Sequence, residues 1–126
     1  LNYWKKLKRI NAVLFSICCL TAQKIRSNLP EVHQDKIALG IYHLSKGGVS
    51  GAVVDLKLIF AVALKCNASS IILSHNHPSG NLTPSEADKI ITSKIKRAGE
   101  LLDIALTDHL IITTEGYYSF SENGIL

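Results

Sequence analysis

The sequence has too few cysteines for a disulfide framework. Its cysteines, Cys18, Cys19 and Cys66, are odd in number, two of them are neighbours, and none stands in a C-x-x-C spacing. Disulfide-stabilised secreted domains need paired cysteines, and cysteine-based zinc sites usually need a C-x-x-C spacing. These absences exclude a disulfide-rich scaffold and predict a reducing compartment, the cytoplasm.

The sequence also lacks an apolar run long enough to cross a bilayer. The segment Ala12–Leu20 follows four basic residues and so has the charge order of a signal peptide. Cleavage after Ala22 would need a small residue where Leu20 stands, and Ile17 before Cys18 does not fit a lipoprotein site. A transmembrane helix needs about 20 apolar residues. We expect a buried strand here and no membrane association, with a targeting segment as the alternative.

No linker and no internal repeat divides the 126 residues, of which 47% are hydrophobic and 19% charged. This balance predicts a single soluble domain over 1–126. The net charge of +4 permits contact with polyanions. However, the basic residues are mostly split between the first 26 residues and Lys89–Arg97, where solvated helix charge explains them as well. A nucleic-acid partner is therefore an alternative, although the sequence contains no recognised nucleic-acid-binding motif to support it.

Apolar periodicity and turn residues predict a mixed sheet flanked by helices, an α/β fold. The predicted strands cover 12–21, 37–44, 70–74, 104–106, 110–113 and 117–120, and the predicted helices run from Asp55 to Asn67 and from Pro84 to about Leu101. The strand 70–74 contains Ile71, Ile72 and Leu73 in an unbroken apolar run, which indicates burial on both faces. It delivers His75 at its carboxyl end, where open α/β sheets usually place active sites.

Two histidines and an aspartate follow at a spacing suited to a metal ion. In an extended segment His75 and His77 point to the same side, while Asn76 faces away, and Asp88 returns from the next helix. Three such ligands leave one tetrahedral position open, as in catalytic zinc sites. Bound zinc lowers the pKa of its water to about 7 and polarises a carbonyl group. The pattern therefore predicts a hydrolytic zinc site, with amide hydrolysis as the reaction class.

The helix that carries Asp88 has its own start signal. Thr83 is the predicted N-cap, Pro84 fits the first helical position, and Glu86 stands where a capping box has its acid. Asp88 is then expected in the second turn. Ser85 lies three residues before Asp88 and is predicted to face the metal, with capping of the helix as the alternative role.

The arrangement H-x-H, ten residues, then D resembles the JAMM signature of the JAB/MPN metalloprotease superfamily. The run S-H-N-H-P-S-G-N-L-T-P-S-E-A-D, with the later L-T-D-H-L-I-I-T and G-Y-Y-S-F, is similar to the RadC branch from about Lys36 onward. The resemblance implies a JAB/MPN (cytidine-deaminase-like) fold, zinc as cofactor, and cleavage of a peptide or isopeptide bond. It also implies that Ser85 stabilises the oxyanion.

In the superfamily an upstream glutamate serves as general base. Here the nearest acid is Glu31, which we predict as the base, with a solvated loop position as the alternative. Residues 1–35 diverge from the RadC pattern, and the helix-hairpin-helix region that usually precedes it is absent. An altered start or a shifted reading frame is one hypothesis for this divergence. Asp108 and His109 are expected to form supporting hydrogen bonds to the site rather than to bind metal directly.

Three functions remain open on the sequence. The first is a RadC-type zinc metallopeptidase-like hydrolase acting on a peptide or protein. The second is a DNA-repair or mobile-element accessory protein that binds nucleic acid. The third is a zinc-binding structural module with little activity, which a missing glutamate favours and an open coordination position disfavours. The sequence specifies neither the substrate nor the oligomeric state.

Overall fold

The structure, a computed structural model, describes residues 14–24, 34–46 and 54–126. These residues form five strands and two helices. In chain order they are β1 (Leu14–Lys24), β2 (Gln34–Lys46), α1 (Leu56–Lys65), β3 (Ser70–Asn76), α2 (Glu86–Leu101), β4 (Ala105–Ile112) and β5 (Tyr117–Ser119). Within this part of the chain, no helix is both long and apolar enough to cross a membrane.

The strands form one mixed sheet in the order β2-β1-β3-β4-β5. β1 is antiparallel to β2 and to β3, whereas β3 and β4 run parallel and are joined through α2. β5 adds an antiparallel strand at the far edge. The predicted α/β fold with a mixed sheet and helices is therefore confirmed, and β3 occupies its centre.

One apolar cluster holds the two helices on the sheet. α1 begins at Asp55, whose carboxylate accepts a hydrogen bond from Lys57 N at 2.9 Å, as its sequence predicted. Both helices and the strands β1, β3 and β4 contribute side chains to this cluster. Its members are Ile17, Val54, Ile59, Phe60, Ala63, Ala68, Ile71, Leu73, Ile95, Ile104 and Leu106. Burial of this surface is the main favourable term that stabilises the fold.

The strand predictions are confirmed in position, with one correction. The predicted strand at 12–21 is β1, whose Ile17 is fully buried, and the strand at 37–44 lies within the longer β2. The two short strands predicted at 104–106 and 110–113 are wrong, because both belong to β4. The polar residues between them continue the strand, and a bulge opposite Ile71 and Ile72 accommodates the extra residue Thr107.

Gly99 permits a close contact between α2 and the chain that leaves it. A Cβ atom at this position would lie 2.2 Å from the carbonyl oxygen of Ile104. The Gly99 carbonyl also accepts a hydrogen bond from Ile104 N at 2.9 Å, while Asp103 between them has a positive φ of 54°. This is a Schellman motif, and it turns the chain directly from α2 into β4.

We expect Gly99→Ala to lower the free energy of unfolding by about 1–3 kcal/mol, because the added methyl group must displace backbone. In an open helix the same change would instead stabilise by up to about 1 kcal/mol. Urea unfolding followed by circular dichroism measures the difference. The matched control is Gly116→Ala, whose methyl group would meet only Leu82 Cδ1 at 4.0 Å. A Gly99→Ala protein as stable as this control would contradict the expectation.

Candidate metal centre

The three predicted ligands lie at the carboxyl end of the central strand. His75 is the penultimate residue of β3 and is 1% exposed, and Asp88 lies in the first turn of α2. His77 follows the strand directly, and its backbone N–H donates to the Ile112 carbonyl of β4 at 2.9 Å. The sheet therefore fixes both histidines, and the crossover helix returns the carboxylate to them.

The donor atoms of these three side chains converge on one point. His75 Nε2 lies 2.9 Å from His77 Nε2 and 3.2 Å from Asp88 Oδ1, and His77 Nε2 lies 3.5 Å from Asp88 Oδ2. The ligands of a tetrahedral zinc ion lie about 3.3 Å from one another when each is about 2.0 Å from the metal. The separations fit this geometry when each histidine is compared with its nearer Asp88 oxygen, and one ligand atom from each of the three side chains lies within 4.8 Å of the other two. Among the described residues, no other group of three or more His, Cys, Asp or Glu side chains could hold a metal ion.

Asp88 has a second role as part of the helix cap. Its Oδ2 accepts from Ser85 N at 2.8 Å, while its own N–H donates to Ser85 Oγ at 3.1 Å, which makes a reciprocal capping box. The predicted N-cap Thr83 and the capping acid Glu86 are therefore wrong, since Ser85 is the cap and Asp88 is the acid. Asp88 consequently lies in the first turn rather than the second.

Ser85 is exposed, and its Oγ accepts the Asp88 N–H, so the alternative role as a cap is the one its contacts show. Its hydroxyl proton is not used in that bond. The oxyanion role of Ser85 remains a prediction.

Glu31, the predicted base, lies outside the described residues. The strands on either side of it are described, and Lys24 pairs with Gln34 at one end of the sheet while Phe15 pairs with His75 at the other. At about 3.3 Å per residue, Phe15 and Lys24 are about 30 Å apart along β1. Lys24 and Gln34, the described residues nearest to Glu31 in the sequence, therefore lie at the end of β1 away from the metal centre.

A backbone contact fixes the tautomer of His77. Its Nδ1 lies 2.7 Å from the carbonyl oxygen of Asn81, which can only accept a hydrogen bond. Nδ1 must therefore carry a proton, and in the neutral ring the lone pair of Nε2 faces His75 and Asp88. The loop that brings Asn81 back is a tight turn, with Gly80 at a φ of 81° and its N–H bonded to the His77 carbonyl at 3.0 Å.

A buried histidine of β4 supports His75, as the sequence led us to expect. His109 Nε2 lies 2.9 Å from His75 Nδ1, and His109 Nδ1 lies 2.6 Å from Thr92 Oγ of α2. The sequence analysis missed Thr92, although a polar residue on the apolar stripe of α2, four residues after Asp88, is a signal that could have identified it.

Asp108 does not reach the metal ligands. Its carboxylate accepts hydrogen bonds from Ser119 Oγ at 2.5 Å and from Ser121 N at 2.9 Å, and so holds the turn after β5. That turn contains Phe120, whose ring stacks on His109 with centroids 4.6 Å apart. Asp108 also accepts a hydrogen bond from His109 N at 2.7 Å, so it supports His109 both directly and by placing the ring that covers it.

The electrostatics of the group favour a bound cation. Burial alone would raise the pKa of the Asp88 carboxyl, but its contacts with the imidazole rings of His75 and His77 hold that pKa far below its usual range. The hydrogen bond to Asp88 raises the pKa of His77, whereas burial lowers the pKa of His75. Burial also lowers the pKa of His109 to about 3, so this ring is neutral at physiological pH. An ionised carboxylate thus faces two imidazole nitrogens in a largely buried position.

A mixed sheet that presents a His-x-His pair opposite a carboxylate at the start of a helix defines a JAB-type domain. The chain matches the RadC-like JAB domain family over residues 32–125, which is most of its length, and it belongs to that family. The predicted RadC-type membership is thereby confirmed.

Bacterial relatives agree with this assignment. The chain is 58% identical over 82 residues to a UPF0758 protein of Flavobacterium johnsoniae, covering 65% of this chain and 36% of the relative. It is 42% identical over 88 residues to a UPF0758 protein of Thermotoga maritima, covering 70% and 40%. UPF0758 protein YfjY of Escherichia coli is 46% identical over 83 residues, covering 66% and 52%. The chain therefore spans between about a third and a half of the length of these relatives.

We expect metal binding to weaken on acidification. A metal must displace the proton from His77, and the pKa of this histidine is raised above 6.5 in the metal-free chain. Affinity should therefore be constant at pH well above that value and fall as the pH drops through it, by about tenfold per pH unit for one displaced proton. Competition titrations with a chromophoric chelator between pH 5.5 and 8.5 measure this.

The control for the pH series is His77→Ala, which removes the titrating ligand and should bind more weakly with a shallower pH slope. A wild-type affinity that does not change from pH 8.5 to 5.5 would contradict the expectation.

Proposed function

We propose that this domain binds zinc through His75, His77 and Asp88 and hydrolyses an amide bond, peptide or isopeptide, in a protein or peptide substrate. The observation that carries the proposal is the convergence of two imidazole nitrogens and the Asp88 carboxylate, whose oxygens lie 3.2 Å from His75 Nε2 and 3.5 Å from His77 Nε2. Family membership supports it, because JAB-type domains generally bind zinc.

The donor set fits zinc better than the harder divalent ions. Calcium and magnesium prefer sites made only of oxygen ligands, whereas zinc accepts imidazole nitrogen together with carboxylate oxygen in a tetrahedral arrangement. Three protein ligands leave one position for water or substrate. Zinc in such a site supplies a Lewis acid that lowers the pKa of bound water and polarises the carbonyl group under attack.

Hydrogen bonds within the protein hold the ligand side chains in place before a metal ion binds. The carbonyl of Asn81 orients His77, and the cap bond from Ser85 N orients the Asp88 carboxylate. Because each ligand is already held in its binding orientation, little reorganisation is needed when the metal binds. Such preorganisation is what a catalytic centre requires of its supporting hydrogen bonds.

Ser85 is the proposed donor to the oxyanion that develops on the substrate carbonyl. Its Oγ accepts the Asp88 N–H and keeps its own proton, so one hydroxyl can serve as helix cap and as hydrogen-bond donor to substrate. The side chain is exposed beside Asp88, where a substrate can reach it. A donor of this kind contributes to catalysis only when it faces the position of the oxyanion.

The proposed hydrolysis also needs a general base. The base is an acid that precedes the metal centre in the chain, and Glu31 is its sequence candidate. A positioned base contributes about a hundredfold or more to the rate. Nucleic-acid binding stays a prediction. The exposed lysines of α2 and its one arginine are a basic patch without a nucleic-acid-binding motif, and they add no support to it.

The first test is zinc content and hydrolysis measured on the same samples. We expect about one zinc per chain in the wild type and none in Asp88→Ala, because the variant loses a ligand of a three-ligand site. Zinc is measured by inductively coupled plasma mass spectrometry. Hydrolysis is measured on a library of peptides from a digested bacterial proteome, with new termini counted by mass spectrometry and a metal-free sample alongside.

The matched control for Asp88→Ala is Ser85→Ala. Both variants lose the capping box, but only Asp88→Ala loses a ligand, so Ser85→Ala should keep its zinc. Zinc bound with no zinc-dependent new termini would contradict the hydrolase function and favour a structural role. Zinc absent from the folded wild-type chain would contradict the metal centre itself.

A second test separates the two roles of Ser85. Ser85→Gly should change stability by only a few tenths of a kcal/mol, because glycine is tolerated at the N-cap, whereas Ser85→Ala should cost about 1 kcal/mol. Both variants lose the hydroxyl group, so turnover of a peptide found in the library should fall by about 10²- to 10³-fold in each. Wild-type turnover in Ser85→Gly would limit Ser85 to capping.

A further inference from the structure

A chain of hydrogen bonds runs from His75 into the core and ends on α2. It passes from His75 Nδ1 to His109 Nε2 over 2.9 Å, from His109 Nδ1 to Thr92 Oγ over 2.6 Å, and from Thr92 Oγ to the Asp88 carbonyl over 2.6 Å. Thr92 and His109 are 3% and 0% exposed. The protons in this chain are therefore placed by the protein and not by solvent.

The last of these hydrogen bonds determines which atom is the donor in each of the others. Two oxygen atoms 2.6 Å apart need a proton between them, and the Asp88 carbonyl has none to give. Thr92 must therefore donate its only proton to Asp88. Its oxygen is then available to His109 Nδ1 only as an acceptor, so His109 Nδ1 carries a proton.

The remaining bond follows from the number of protons on a neutral imidazole. His109 is enclosed in the core with its ring stacked on Phe120, an environment that disfavours charge. A neutral ring with a proton on Nδ1 has a lone pair on Nε2. His75 Nδ1 must then donate to that lone pair. His75 is itself 1% exposed, which favours its neutral form, and a neutral ring with its proton on Nδ1 has a lone pair on Nε2, directed at His77 and Asp88.

We propose that Thr92 and His109 are positioning residues that lock His75 in the Nδ1–H tautomer and so keep its Nε2 free for a metal ion. The inference rests on the proposed zinc centre for its functional meaning, but the tautomer itself is a property of the metal-free chain. The series of hydrogen bonds starts at the backbone of Asp88 and ends at His75, whose Nε2 lies 3.2 Å from the Asp88 side chain. One metal ligand thus determines the protonation pattern of another.

The test is a long-range ¹H–¹⁵N correlation spectrum of the ¹⁵N-labelled, metal-free full chain at pH 7.5, which distinguishes the two tautomers of each histidine. We expect His75 and His109 of the wild type to carry the proton on Nδ1. In Thr92→Val, which keeps the shape and removes the hydroxyl, His109 has no acceptor for Nδ1–H, so His75 should shift toward the Nε2–H form. The zinc dissociation constant should rise about 10- to 100-fold in this variant.

The matched control is Thr92→Ser, which restores the hydroxyl and should restore both the His75 tautomer and the zinc affinity. A wild-type His75 protonated on Nε2 would overturn the inference without any variant. So would a folded Thr92→Val with an unchanged tautomer and affinity. If His75 shows the Nδ1–H form but the wild type binds no zinc, the positioning chain stands and the proposed function fails.

Discussion

The double use of the Asp88 carboxylate is the constraint on which the rest of this domain depends. One oxygen accepts the Ser85 N–H and begins α2, and the other faces His75 at the end of β3. The helix start and the metal centre are therefore one structure. α2 can cross from β3 to β4 only along the direction that keeps this carboxylate opposite the histidines, and Gly99 allows the close exit at the other end.

Much of this arrangement could be predicted from the sequence because it is local. The apolar run before His75 indicates a central strand, alternation places His75 and His77 on one side, and a helix start before Asp88 returns the carboxylate. The mixed sheet and both helices followed from the same patterns. The confirmed family resemblance depends on residues within this stretch, where sequence spacing nearly determines spatial proximity.

The parts that sequence could not supply are those decided by tertiary contacts. Thr83 with Pro84 and Ser85 with Asp88 both match a helix start, and the second prevails because Asp88 is also held by the histidines. β4 was divided in two because polar residues in its middle break the apolar pattern. In the fold, His109 is among them because it supports His75 from inside the core. Thr92 was overlooked because a threonine in a helix can simply bond to its own helix backbone, and its contact with His109 depends on the tertiary fold.

The two histidines of the centre are held by different parts of the molecule. The side chain of His75 is 2% exposed and bonded to the core, whereas that of His77 is 18% exposed and held by a turn at Asn81. Of these two described side chains, the one that solvent reaches is thus the one held by a turn, and the one held by the strand and the core is closed to solvent. The proposed metal centre would therefore be rigid on its inner side and adjustable on its outer side.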